Sequence, residues 1–192
     1  GIDTICPYTT MLLPGSPLYE EDIFDKFQMI KKYRVVPRDF GKYEGKNIVE
    51  VEQVCVGTRD LSFDDYLYLR GFHFIISCYY NAETFKELIH YLRSFGIEAY
   101  DFCYTLLSDI NNAPDSVKMV FENFLTDTRE ELWDSEEDIC KYYQEDTNFN
   151  KLITQKEGYN LLQKHLGVVF ASHCKVFLEY GLQVAMCLLL EN

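Results

Sequence analysis

The stretch Lys32-Tyr33-Arg34-Val35-Val36-Pro37-Arg38-Asp39-Phe40-Gly41-Lys42-Tyr43-Glu44-Gly45-Lys46-Asn47-Ile48-Val49-Glu50-Val51-Glu52-Gln53-Val54-Cys55-Val56 decides how the chain is read. Ile48, Val49, Val51, Val54 and Val56 recur with the alternation of a strand that has one face buried. Residues 33–36 supply an antiparallel partner, and the glycine-bearing segment 41–45 closes the pair as a turn. A few residues on, Ser62-Phe63-Asp64-Asp65 changes the period. The serine oxygen can cap free amides there, and the two carboxylates suit the positive end of a helix dipole. One hairpin followed by helix is the signature of an α+β chain.

Working outward, residues 3–13 are rich in β-branched and apolar types and stop at Pro14-Gly15, which predicts a buried strand ending in a turn. Towards the C-terminus the pattern is helical. Asn81 is placed to cap a helix with the stripe Phe85, Leu88, Ile89, Leu92, and Gly96 falls where a left-handed residue ends it. Pro114 opens a helix carrying Val117, Val120, Phe121 and Phe124, and Ser135 opens a short one with Ile139 and Tyr143. Residues 146–154 read as a loop. From about Lys156 to the end the apolar positions are periodic, with breaks expected at Gly167 and Gly181. The expected organisation is a small β portion over residues 1–60 and a mainly helical bundle over 61–192. Its core is built largely from 15 Tyr and 14 Phe, each able to bury about 150–250 Å².

Across 192 residues the formal charge is −13, so a chain-wide electrostatic grip on nucleic acid or anionic lipid is not expected. The charge is segregated. Residues 26–46 carry a local balance of +5, and residues 101–150 one of −10. The longest apolar run, residues 184–190, falls short of the roughly 20 residues of a membrane helix, and the expectation is a soluble, cytoplasmic chain. No targeting peptide precedes Gly1-Ile2-Asp3, and a beginning inside an apolar stretch suggests an excised piece. Seven scattered cysteines (6, 55, 78, 103, 140, 174, 187) fit reduced thiols in a cytosolic setting.

Motifs that carry chemistry are sparse. No CxxC, CxxxCxxC or HxxxH spacing occurs, and His173 and Cys174 are helix neighbours about 100° apart, which cannot easily share an ion. The Gly41–Gly45 segment lacks the spacing and Lys-Ser/Thr end of a phosphate loop, and no GxSxG is present. Acidic pairs such as Asp64-Asp65, Glu136-Glu137-Asp138 and Glu145-Asp146 read as solvated helix starts and faces. Tyr33, Phe40 and Tyr43 interleave the basic corner, which offers charge and stacking to an anion or RNA and equally suits a sheet edge or interface.

An ordered series stands out: Tyr8-Thr9-Thr10-Met11-Leu12-Leu13-Pro14-Gly15-Ser16-Pro17-Leu18, then Lys32-Tyr33-Arg34-Val35-Val36-Pro37-Arg38-Asp39-Phe40-Gly41, then Glu50-Val51-Glu52, then Leu61-Ser62-Phe63-Asp64-Asp65-Tyr66 with Leu69-Arg70. This series resembles the C-terminal region of radical SAM enzymes of the cobalamin-binding type, over about residues 8–95. The resemblance implies a parent enzyme with a cobalamin domain and a partial β/α barrel, whose CxxxCxxC loop holds the [4Fe–4S] cluster that cleaves S-adenosylmethionine. Residues 1–60 would then be the end of that barrel with an accessory hairpin, and 61–192 a C-terminal helical domain. The chain lacks the cluster loop, so the resemblance implies a substrate- or partner-facing module that is not itself catalytic, and no catalytic, cofactor-binding or metal residue is assigned. Only residues 13–16 would neighbour the cofactor region.

Arg34, Arg38, Arg59 and Arg70 are the candidates to fix anionic groups, or to pair internally with Glu50 and Glu52. The implied partners are the rest of the parent enzyme and a small-molecule or peptide substrate, and strands that have lost barrel neighbours could pair between chains as a dimer. The alternative is a stand-alone interaction module whose acidic helices, Glu136, Glu137 and Asp138 among them, bind a basic partner.

Overall fold

The computed structural model describes residues 4–154 and 157–191. The hairpin is longer than the alternation alone indicates: β2 (Ile30–Tyr43) and β3 (Lys46–Gly57) pair antiparallel from Tyr43 opposite Lys46 back to Ile30 opposite Gly57. The turn is confined to Glu44 and Gly45, with φ of 51° and 77°, a two-residue left-handed turn whose twist matches the strands. Between Val35 and Phe40 the register slips, so residues 36–39 face the single residue Glu50. Pro37 has no N–H to give the ladder, and Arg38 takes φ of 67°, which accounts for a bulge at this point.

A third strand, β1 (Thr10–Met11), completes a sheet ordered β1-β3-β2. The buried strand expected over residues 3–13 is thereby corrected. Only two residues pair, both exposed, and Leu12 alone is fully buried; Asp3 lies outside the described residues. Prolines 7 and 14 remove ladder donors on either side.

The chain is α+β and divides into two compact units: residues 8–67 with 127–154 and 157–161, and residues 4–7 with 68–126 and 162–191. Both are discontinuous in sequence, whereas the pattern of residues placed a boundary near 60. The hairpin unit also holds α1 (Glu21–Phe27), α6 (Glu136–Gln144) and α7 (Asp146–Ile153). Ser135 caps α6, its Oγ accepting from the Asp138 amide at 3.1 Å. Residues 146–154, expected as a loop, form α7 because Phe149 and Leu152 bury one helical face. On one face of the hairpin Val35, Val49 and Val51 meet Ile139, Tyr143, Phe149 and Leu152. On the opposite face Val54 and Val56 meet Leu61, Phe63, Tyr66 and Leu67, as period-2 alternation requires.

The helical unit is built on α3 (Lys86–Arg93), α4 (Ala99–Ser108) and α9 (Cys174–Glu191), with α8 (Leu161–Val168) leading into α9 through a wider turn at Val169–His173. Two long helices, α2 (Phe63–Ile76) and α5 (Asp115–Glu130), contain the division points. Ser62 caps α2 as expected, exchanging hydrogen bonds with Asp65: the Asp65 amide to Ser62 Oγ at 3.1 Å and the Ser62 amide to the carboxylate at 2.9 Å. Asn81, however, does not cap α3. Its side-chain amide pairs with the backbone of Ile5, accepting at 2.9 Å and donating at 2.7 Å.

Gly96 ends α3 at φ of 79°. Neither Gly167 nor Gly181 breaks the final helix. A Cβ on Gly181 would lie 2.7 Å from the Phe85 ring, so this glycine admits an aromatic contact within a continuous helix. By length and composition alone Leu161–Glu191 suffices to cross a bilayer, a property shared by core helices of soluble proteins, and 28% of its most apolar window is buried. The run-length measure does not capture this, because polar residues interrupt the run without ending the helix.

Candidate functional site

In the hairpin unit Arg34 and Glu52 stand directly opposite across the strands. The guanidinium Nε donates to Glu52 at 2.6 Å, and Nη1 donates to Glu131, just past α5, at 3.1 Å. All three side chains are largely buried, with 14–18% of each exposed. Burial works against the charge on Arg34, but Glu131 and Glu52 outweigh it and hold its pKa above the ordinary value. The trio has one positive and two negative charges, and the sheet face around it is apolar.

The other sequence-named residues are dispersed. Arg38, at the bulge, stacks its guanidinium carbon 4.5 Å from the Tyr159 ring centre and donates to the Tyr159 hydroxyl, while its amide donates to Gly158 at 3.1 Å. Glu50, opposite the bulge, is exposed. Arg59 pairs at 3.0 Å with its neighbour Asp60 on the surface. Arg70 lies in the helical unit, its guanidinium carbon 5.4 Å from the Phe124 ring centre. The structure therefore brings Arg34 and Glu52 together and leaves Arg38, Arg59, Arg70 and Glu50 apart.

The basic corner meets acids of the same unit. Lys42 donates to Asp146 at 2.8 Å, Asn47 joins the same carboxylate at 3.1 Å, and Lys32 pairs with Asp134. The hydrogen bond from Lys42, with that from Asn47, lowers the Asp146 pKa. Part of the charge segregation along the sequence is thus internal complementarity.

In the helical unit Arg70 and His73 on α2 and Ser77, the residue after its end, fall at i, i+3 and i+7, and Arg70 Nε, His73 Nδ1 and Ser77 Oγ are buried without a hydrogen-bond partner among the described residues. Burial first, and the Arg70 charge second, lower the His73 pKa to about 4, so the imidazole is neutral at physiological pH.

Sequence reasoning missed a cleft of about 540 Å³ in the hairpin unit, lined by Trp133, Tyr142, Asp134, Asp138, Lys141 and Glu145 with Leu132 and Asn148. Trp133 is the chain's one tryptophan. Its backbone is fixed to Tyr33 by a reciprocal pair of hydrogen bonds at 2.8 and 2.9 Å. The Trp133 and Tyr142 rings sit 5.1 Å apart at 51°, forming an angled aromatic wall. A lone tryptophan beside the acidic run 134–138 is the signal that could have drawn attention to it.

The donor set does not fit an iron–sulfur cluster. The cysteines lack the triad spacing, and burial raises the thiol pKa of Cys78, and of Cys103 to about 12. Among the described residues no group of three or more His, Cys, Asp or Glu side chains is placed to hold a metal ion. No family model matches the chain, and no curated protein matches it.

Proposed function

We propose that this chain is the C-terminal, substrate- or partner-facing module of a radical SAM enzyme of the cobalamin-binding type. Cluster, S-adenosylmethionine and cobalamin are held elsewhere in the parent, and the module is cytoplasmic. The observation that carries the reading is the ordered series of motifs and their place in the fold. The segments 8–18, 32–41, 50–52 and 61–66 fall in the hairpin unit, and Leu69-Arg70, which ends the series, falls in the helical unit. The Lys-Tyr-Arg and Glu-x-Glu segments are joined there by the 2.6 Å bond from Arg34 to Glu52.

Two motif residues that looked like ligands for an anion therefore act on each other, and the module's role is to present a surface held in shape by that clasp. It derives no radical step from its own thiols. The test is the gene product that includes whatever sequence precedes Gly1, purified without oxygen and reduced in the presence of S-adenosylmethionine. The expected result is reductive cleavage of the sulfonium. A protein that leaves S-adenosylmethionine intact under these conditions contradicts the assignment.

A further inference from the structure

We infer that the Trp133–Tyr142 cleft binds an arginine side chain presented by a partner polypeptide. This rests on the cleft alone and stands or falls separately from the enzyme assignment. Its volume, about 540 Å³, lies within the usual range of roughly 300–1,000 Å³ for ligand sites and exceeds what one guanidinium fills, so it also admits flanking backbone.

The chemistry of the lining selects a cation. Asp138, Lys141, Tyr142 and Glu145 fall at positions i, i+3, i+4 and i+7 of α6 and its C-terminal cap, one stripe of that helix. Asp134 is committed to Lys32, and Asp138 accepts from Ser135 Oγ at 2.7 Å. Glu145 and Lys141 make no ion pair among the described residues.

A planar cation can lie against the aromatic wall and donate in plane to the Asp138 and Glu145 carboxylates; a compact ammonium cannot do both equally well. The unit already uses an arginine–aromatic contact of this kind: the Arg38 guanidinium lies 4.5 Å from the Tyr159 ring centre. The Lys151 ammonium near Tyr142 donates to that ring's hydroxyl. Lys141 in the same stripe repels a run of basic residues, so the occupant is a single arginine with neutral or acidic neighbours.

Because Trp133 is the one tryptophan, its fluorescence reports the cleft directly. The experiment titrates the 192-residue chain with a capped Gly-Gly-Arg-Gly-Gly peptide, and in parallel with the citrulline peptide, a neutral isostere, and the lysine peptide. Saturable change with arginine, about tenfold weaker with citrulline and several-fold weaker with lysine, supports the inference. Glu145→Gln is expected to weaken arginine binding several-fold with an unchanged circular dichroism spectrum, since that carboxylate makes no hydrogen bond or ion pair among the described residues. No saturable change up to about 10 mM peptide, or equal response to arginine and citrulline, overturns it.

Discussion

The hairpin unit and the helical unit solve burial in opposite ways. In the helical unit the interior is aromatic, and the buried phenols of Tyr79 and Tyr180 are answered by backbone: Tyr79 donates to the Phe177 carbonyl at 3.0 Å and Tyr180 to that of Leu106 at 2.8 Å. Burial raises both phenol pKa values, which keeps them neutral donors. In the hairpin unit long-range charge pairing does part of the same work, through Arg34 with Glu52 and Glu131. A phenol-to-carbonyl bond does not depend on a counter-charge elsewhere, whereas each buried carboxylate of the trio depends on Arg34.

Substitutions in each unit sharpen this contrast. Phe74 is fully buried and stacked on Phe124 with ring centres 4.8 Å apart. Phe74→Ala is expected to cost about 3–5 kcal/mol in urea unfolding followed by circular dichroism, with no dependence on salt. Arg34→Met leaves Glu52 and Glu131 facing each other without a counter-charge. A loss of about 2–3 kcal/mol is expected, read from Trp133 fluorescence, and adding Glu52→Gln should restore part of it. Equal losses in the single and double variants would mean that the arginine matters for its packing alone.

His73 makes the helical unit sensitive to acid. The unfolded chain takes up that proton near a pKa of about 6.5, whereas the folded chain resists until about 4. Stability from this group is therefore complete above the unfolded value and declines as pH falls through that window, by roughly 3 kcal/mol. His73→Gln should flatten the decline in unfolding curves taken between those limits. A slope unchanged by the substitution would place the acid sensitivity elsewhere. The smallest effect belongs to the turn: Gly45 sits at φ of 77° with open space around it, so Gly45→Ala should cost only about 1 kcal/mol of backbone strain.

Local chemistry made much of the fold legible. Ser62, Pro114 and Ser135 announce helix starts because caps act within one turn, and the valine alternation of residues 48–56 announces the hairpin. What was not legible depends on distant partners. The Asn-rich composition of residues 146–150 resembles a loop, yet Phe149 and Leu152 find a core supplied by the hairpin. Gly181 reads as a breaker until Phe85 and Tyr79 are seen against it. The Arg34–Glu52 pairing was within reach of the sequence because the two residues share one hairpin, but Glu131 was not, being 97 residues away. The cleft's residues were visible as a lone tryptophan beside an acidic run, but its shape was not, because that tryptophan is held by Tyr33, far earlier in the chain.

The most direct measurement of the central claim is iron content after anaerobic reconstitution, made side by side on the 192-residue chain and on the gene product that includes its upstream sequence. The account predicts cluster iron, with its charge-transfer absorption, on the longer protein and none on the shorter one. Iron bound stoichiometrically by the shorter chain, or by neither protein, would contradict it.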